Sequence, residues 1–246
     1  MTRDAIALLA RLITGVRRIA DSAPPGTPRI YYANHSSHLD FVVIWAALPP
    51  PFRNRVRPVA AADYWDRDPV RRWLASKVFN AVLIPRGKVT RDDDPIGKMG
   101  AVLEAGHDLI IFPEGTRSLD GRLAEFRPGI HALAKRHPQA ELIPVYLENL
   151  NRILPKGEIL MVPLIGNAIF GPTCPSPRDG EPRADFLVRA RAALLALSAA
   201  PPSPAPVGGV VTPRTEGPAC PLSSADPNRI LTDAPTKPPT PPSDEP

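Results

Sequence analysis

Two hydrophobic rhythms alternate along the chain. Short runs rich in β-branched and aromatic residues recur at 29–33, 57–61, 81–85, 108–112, 141–147 and 158–163, and they predict strands. Between and after them lie stretches whose apolar positions fall three and four apart, at 40–48, 68–79, 95–105, 128–136 and 183–197. These predict helices. Strands alternating with helices at this density predict one α/β domain: a mixed, largely parallel central sheet flanked by helices, with functional residues in loops at strand ends.

The stretch 3–20 follows a different pattern. At about 100° per residue, Ile6, Leu9, Leu12, Ile13, Val16 and Ile19 share one arc of a helical wheel, while Arg3, Arg11, Arg17 and Arg18 fall on the other. Such a helix can lie at a headgroup boundary with its arginines toward anionic lipid, or pack on its own domain as a surface helix. Tyr64, Trp65 and Trp73, interleaved with Arg67, Arg71 and Arg72, offer a second interfacial stretch, and equally the pattern of a half-buried helix.

Composition changes the picture at the C-terminal end. Residues 199–246 hold 14 of the 34 prolines and no sustained aliphatic run, so they bury too little surface to offset the entropy of ordering and are expected to form a disordered tail. The net charge of the chain is +5, and the tail sets three cations against five acids, so the remainder carries +7. A basic body attracts phosphate, whether of a nucleic acid, an anionic bilayer or a phosphorylated substrate. Cys174 and Cys220 have no second Cys or His at ligand spacing, which argues against a disulfide or metal framework. No apolar run approaches the roughly 18 to 20 residues of a spanning helix, and no signal-peptide pattern opens the chain. The expectation is a cytoplasmic protein able to associate with a membrane.

The strongest local signal for chemistry is Asn34-His35-Ser36-Ser37-His38-Leu39-Asp40, set between a predicted strand and an apolar helix. Residues five apart on an unbroken helix are about 140° apart in azimuth, so His35 can meet Asp40 only if it precedes the first turn and folds back over it. The serines suit such a helix start. Asp40 would then accept a proton from one ring nitrogen, leaving the other as a base, with no protein nucleophile in the pair. His38 competes for the same role. A metal site would need a third ligand, which is missing.

A second signal is Phe112-Pro113-Glu114-Gly115-Thr116-Arg117-Ser118, after the apolar run Leu109-Ile110-Ile111. A strand ending this way offers a tight turn with backbone N–H groups, a hydroxyl and a guanidinium, which are phosphate-binding parts. Two weaker signals are Pro85-Arg86-Gly87-Lys88, a cation at another strand end, and Ile143-Pro144-Val145, where a proline inside an apolar run marks an edge or a bend rather than a central paired position.

These four blocks, in this order, resemble the glycerolipid acyltransferase family that includes bacterial 1-acyl-glycerol-3-phosphate acyltransferases, over about residues 30–145. The resemblance implies an acyltransferase domain over 23–198, preceded by a membrane-surface helix at 1–22 and followed by the tail at 199–246. It implies transfer of a fatty acyl group from acyl-CoA or acyl-ACP to the free hydroxyl of 1-acyl-glycerol-3-phosphate, giving phosphatidic acid. His35 would be the base and Asp40 its orienter, which settles the competition with His38. Glu114, Gly115, Thr116 and Arg117 would form the glycerophosphate-binding turn, with Arg86 a further phosphate contact and Pro144 near the acyl or substrate pocket. No metal or cofactor is implied beyond the thioester cosubstrate, and the partners would be a lysophospholipid and the cytoplasmic face of the cell membrane, with no nucleic acid. The sequence departs from common family forms at Pro85, just before Arg86, and at Arg127, where relatives often carry lysine. Another lysolipid, such as a lyso-ornithine lipid, is the alternative acceptor. A lipid hydrolase or thioesterase is the alternative activity, although no G-x-S-x-G nucleophile elbow exists in the chain.

Overall fold

In the computed structural model, the described residues are 2–14, 16, 26–37, 40–85, 94–118, 121–148 and 167–198. Among them one six-stranded sheet runs in the order β3-β2-β4-β1-β5-β6. Its strands are β1 Arg29–Ala33, β2 Val56–Ala61, β3 Val82–Ile84, β4 Asp108–Ile111, β5 Glu141–Glu148 and β6 Asn167–Phe170. All pairings are parallel except that of β5 with β6. The expected α/β class and mixed, mostly parallel sheet are what the chain adopts.

Every residue of β1 and of β4 is buried, because helices cover both faces of the sheet and leave no polar side to the strands. Tyr31, Ala33 and Ile110 face one layer, made by helix α1 (Thr2–Thr14), helix α2 (Asp40–Ala47), and helix α5 (Pro69–Trp73) running on into a π-helical turn at Leu74–Phe79. Ile30, Tyr32, Leu109 and Ile111 face the other, made by α6 (Pro95–Glu104), α7 (Gly129–Arg136) and α8 (Arg183–Ser198). Two short helices not anticipated from periodicity, α3 (Pro50–Arg55) and α4 (Ala62–Trp65), flank β2. They are too short for a 3.6-residue rhythm to register.

The chain leaves β1 toward β2 on one side and leaves β4 toward β5 on the other. Connections diverging from neighbouring parallel strands open a crevice at their C-terminal ends, where ligands bind in sheets of this kind. The segments following β1 and β4 are those that carry His35 and Glu114.

The strand expected at 158–163, the tail 199–246, His38 and Arg86 lie outside the described residues. Among the described residues the sheet also has β6, a four-residue antiparallel partner of β5 that periodicity did not predict. Pro144 does not mark an edge, since β5 is paired on both sides. Its carbonyl accepts the Gly171 N–H at 2.9 Å, and its ring nitrogen has no proton to return that bond. The register then slips by one residue to the Leu142–Cys174 bridge, so the proline sits beside a bulge. Gly171 has no side chain because a Cβ there would come within 2.9 Å of the proline ring.

Helix α1 divides its apolar residues in a way the wheel did not foresee. Ala7 and Ala10 are buried against the α2 layer, whereas Leu8, Leu9 and Leu12 are 57, 57 and 74% exposed. Arg3 and Arg11 are turned onto the domain itself: Arg11 Nε donates to the Ala46 carbonyl at 2.7 Å and an Arg3 nitrogen donates to the Arg53 carbonyl at 3.3 Å. Carbonyls at the end of α2 lack partners within their own helix, and a cation is their natural donor.

Candidate functional site

Helix α2 begins at Asp40, whose side chain is wholly buried. One of its oxygens, Oδ2, accepts three hydrogen bonds: from the Ser36 N–H at 2.6 Å, from the Ser37 N–H at 2.9 Å, and from Nδ1 of His35 at 2.8 Å. The loop therefore folds back over the first turn, which is the geometry a five-residue separation requires. The helix N-terminus favours a negative charge at this point. Oδ1 is buried without a hydrogen bond among the described residues, so every donor converges on one atom.

His35 is held from all sides. Its ring stacks on Phe112 at 4.2 Å between centroids, and its backbone N–H and carbonyl bond to Glu114 Oε1 at 2.7 Å and to the Ser118 N–H at 2.8 Å. The side chain is 23% exposed and faces a cavity. With Nδ1 bound to a carboxylate, Nε2 is the nitrogen left to exchange a proton with whatever enters.

Glu114 departs from its expected place. Its carboxylate is buried and turned inward, with Oε2 accepting the Ala124 N–H at 2.9 Å while Oε1 holds His35. Burial pushes its pKa above the ordinary carboxylate range, against the lowering effect of those two N–H donors. The residue joins the loop after β1 to the loop after β4 and offers no oxygen to the cleft. Composition could not show this, since a glutamate in a turn reads as a solvated side chain unless its partners, two backbone N–H groups, are already in place.

Gly115 has φ of +72°, and a Cβ there would lie 2.6 Å from Arg127 Cδ and Nε. Arg127 is anchored by its Nε to the Glu114 carbonyl at 3.1 Å and by its N–H to the Pro113 carbonyl at 2.8 Å. Glycine is needed both for the left-handed turn and for this close approach. Gly115→Ala should lower stability by about 1–2 kcal/mol from the backbone alone, and more where Arg127 is displaced. Urea denaturation measures it, and an unchanged midpoint would mean that the turn relaxes freely.

The cavity, of about 300 Å³, lies along the C-terminal ends of β2, β3 and β4. Val59, Ala61, Trp65, Ile84, Met99, Ile111 and Ile130 form apolar walls, and His35, Arg117 and Arg127 are its ionisable lining. Among the described residues no carboxylate lines it. Gly115 and Arg117 are on this lining, Thr116 is exposed beside it, and Pro144 is not part of it. Arg86 directly follows Pro85, which does line the cavity. The arrangement can do one thing well: hold a molecule that is long and apolar at one end and anionic at the other, beside an imidazole backed by a buried carboxylate.

Comparison with known proteins gives a consistent result. Residues 16–148, more than half of the chain, match the protein family described as Acyltransferase. The chain is 29% identical over 131 residues to the chloroplastic 1-acyl-sn-glycerol-3-phosphate acyltransferase LPAT1 of Arabidopsis thaliana, covering 53% of this chain and 35% of that protein. It is 30% identical over 160 residues to the mouse 1-acyl-sn-glycerol-3-phosphate acyltransferase alpha, covering 61% and 52% of the two chains. It thus spans about a third to a half of the length of these relatives. Its fold resembles the crystal structure of the 1-acyl-sn-glycerophosphate acyltransferase PlsC from Thermotoga maritima, with a TM-score of 0.62, 19% identity, and coverage of 82% and 81%.

Proposed function

The chain belongs to the acyltransferase family, and we propose that within it this protein transfers a fatty acyl group from a coenzyme A or acyl carrier protein thioester to the free hydroxyl of 1-acyl-glycerol-3-phosphate. The single observation that carries the choice of acceptor is the cleft itself. Its lining is mostly apolar, and the charged part consists of Arg117 and Arg127 with no carboxylate among the described residues. Arg86, which follows Pro85 in the chain, is proposed as a third cation. A lysolipid phosphate would be held by guanidinium groups able to bind its oxygens bidentately.

In this reading His35 Nε2 takes the proton of the acceptor hydroxyl as its oxygen attacks the thioester carbonyl. The carbonyl π electrons pass to oxygen, giving a tetrahedral oxyanion that backbone N–H groups of the turn can stabilise. The oxyanion collapses, the C–S bond breaks, and the thiolate leaves, taking the proton back from the imidazolium. Asp40 fixes the ring and compensates its transient positive charge. Thiols ionise near pH 8.5, so the leaving group needs no metal and no covalent enzyme intermediate.

Among the described residues no helix is long and apolar enough to cross a membrane. The exposed Leu8, Leu9 and Leu12 of α1 support a peripheral association instead, with that face lying on the bilayer from which the acceptor comes.

The test is purified protein with an acyl thioester and a panel of lysolipids, following thiol release, acylated product and free fatty acid. Acylation of lysophosphatidate is expected to exceed acylation of phosphate-free lysolipids, with little fatty acid released. Arg117→Glu should abolish activity on lysophosphatidate while sparing a phosphate-free acceptor such as a lyso-ornithine lipid. A wild-type preference for the phosphate-free acceptor would overturn the assignment, and fatty acid as the main product would turn the reading to a hydrolase.

A further inference from the structure

We infer that the α4–α5 corner at the side of the cleft is a second membrane-docking surface, one that settles on an anionic bilayer next to the cleft mouth. The inference rests on the acceptor being a lipid, as proposed above. It starts from the placement of the three tryptophans. Trp45 is fully buried and Trp65 forms part of the cleft wall, but Trp73 is 48% exposed. One helical turn before it, Val70 is 67% exposed. Side chains three apart on a helix lie on the same side, so the two make one exposed apolar face.

The charges around this face have the sign a lipid surface requires. Asp66 pairs with Arg72, and Asp68 pairs with Arg71 at 3.1 Å. That leaves the exposed Arg67 and Lys77 with no ion pair among the described residues, one on each side of Val70 and Trp73 in the chain. Tryptophan at headgroup depth between aliphatic and cationic side chains is the composition of an interfacial contact. Anionic lipid supplies the opposite charge that Arg67 and Lys77 do not find among the described residues.

The corner is joined to the site. Asp68 caps α5 by accepting the Arg71 N–H at 2.9 Å, and the Arg71 guanidinium lies over the Tyr64 ring at 4.4 Å. Tyr64 and Trp65 of α4 in turn wall the cleft. Both this corner and the exposed leucines of α1 belong to the α2 layer of the fold, so two contacts could fix the orientation of the cleft where one would leave it free to rotate.

The test uses the full chain, with vesicles of phosphatidylcholine alone and of phosphatidylcholine mixed with phosphatidylglycerol. Tryptophan emission should shift to the blue and be quenched by bromine-labelled lipid on the mixed vesicles, and Trp73→Phe should remove that response while binding persists. The double variant Val70→Ser with Trp73→Ser should lose about tenfold of its activity on vesicle-embedded lysolipid. Its activity on a dispersed short-chain lysolipid should stay within about twofold of wild type, since neither residue lines the cleft. Arg67→Ala and Lys77→Ala should each weaken binding to the mixed vesicles by about fivefold.

Emission from Trp73 that neither vesicle moves would overturn the inference, as would equal loss on dispersed and embedded acceptors. A raised KM for acyl carrier protein thioester, with coenzyme A thioester activity on vesicles intact, would assign the face to a protein and overturn it equally. Failure of the wild type to acylate any dispersed lysolipid would strike the proposed function instead, and the vesicle-binding measurements read the docking surface independently of that.

Discussion

Asp40→Asn is expected to lower kcat/KM by about a hundredfold, and His35→Ala by about a thousandfold, within the range general-base catalysis contributes. The two figures differ because of how the loop is wired. The two N–H groups of Ser36 and Ser37 and Nδ1 of His35 all meet Asp40 Oδ2. An asparagine would turn its oxygen toward those donors and its amide nitrogen toward the buried, partnerless position of Oδ1. The loop and the ring orientation then survive, and what is lost is the negative charge that compensates the imidazolium. Asp40→Ala removes the acceptor as well, leaving two backbone N–H groups unpaired, so it should lose more activity than asparagine and about 1–3 kcal/mol of stability. Thioester turnover together with denaturation curves separates the two effects. If asparagine and alanine were equally inactive with equal stability, charge compensation would not be the function of Asp40.

The sequence made this pair legible for a physical reason. A histidine, two serines and an aspartate placed between an apolar strand and an apolar helix admit few conformations, and only a fold-back at the helix start joins residues 35 and 40. The sheet was legible on similar grounds: β1 and β4, buried on both faces, read as apolar runs after their first residues, Arg29 and Asp108. Legibility ends where a residue's role depends on partners distant in sequence. The Arg11 side chain is turned to the Ala46 carbonyl, 35 residues away, and no wheel drawn on α1 alone can show that. Pro144 reads as an edge or a bend, and only the partner strand shows that it is a paired position accommodated by the bulge at Gly171 and Cys174. Phe112 ends a predicted strand and opens the second sequence block, and neither reading shows that it is the surface on which the His35 ring rests.

Glu114 is the sharpest case, and it carries the second large expected effect. Each oxygen of this buried carboxylate accepts one backbone N–H, from His35 and from Ala124. Glutamine has one oxygen and one NH2, so whichever way it turns, one N–H meets a donor. Glu114→Gln should therefore cost about 1–3 kcal/mol of stability. By loosening the loop that sets His35, it should also reduce kcat by about ten- to a hundredfold. KM for the lysolipid should stay within about twofold, since no oxygen of Glu114 reaches the cleft and only uniform binding losses raise KM alone. A contact to the acceptor would give the reverse split, with raised KM and preserved kcat, and that result would return Glu114 to the binding turn. A pH series adds an independent readout. Because burial raises the folded-state pKa above its ordinary value of 4.5, the folded protein holds this proton to higher pH than the unfolded chain does. Stability must then fall as pH rises from the unfolded value through the raised one, with the whole penalty present above it. Subtracting the variant's stability from that of the wild type across this window isolates the Glu114 contribution. The difference should shrink steadily with rising pH, and a difference that grew instead would mean that the two N–H bonds outweigh burial.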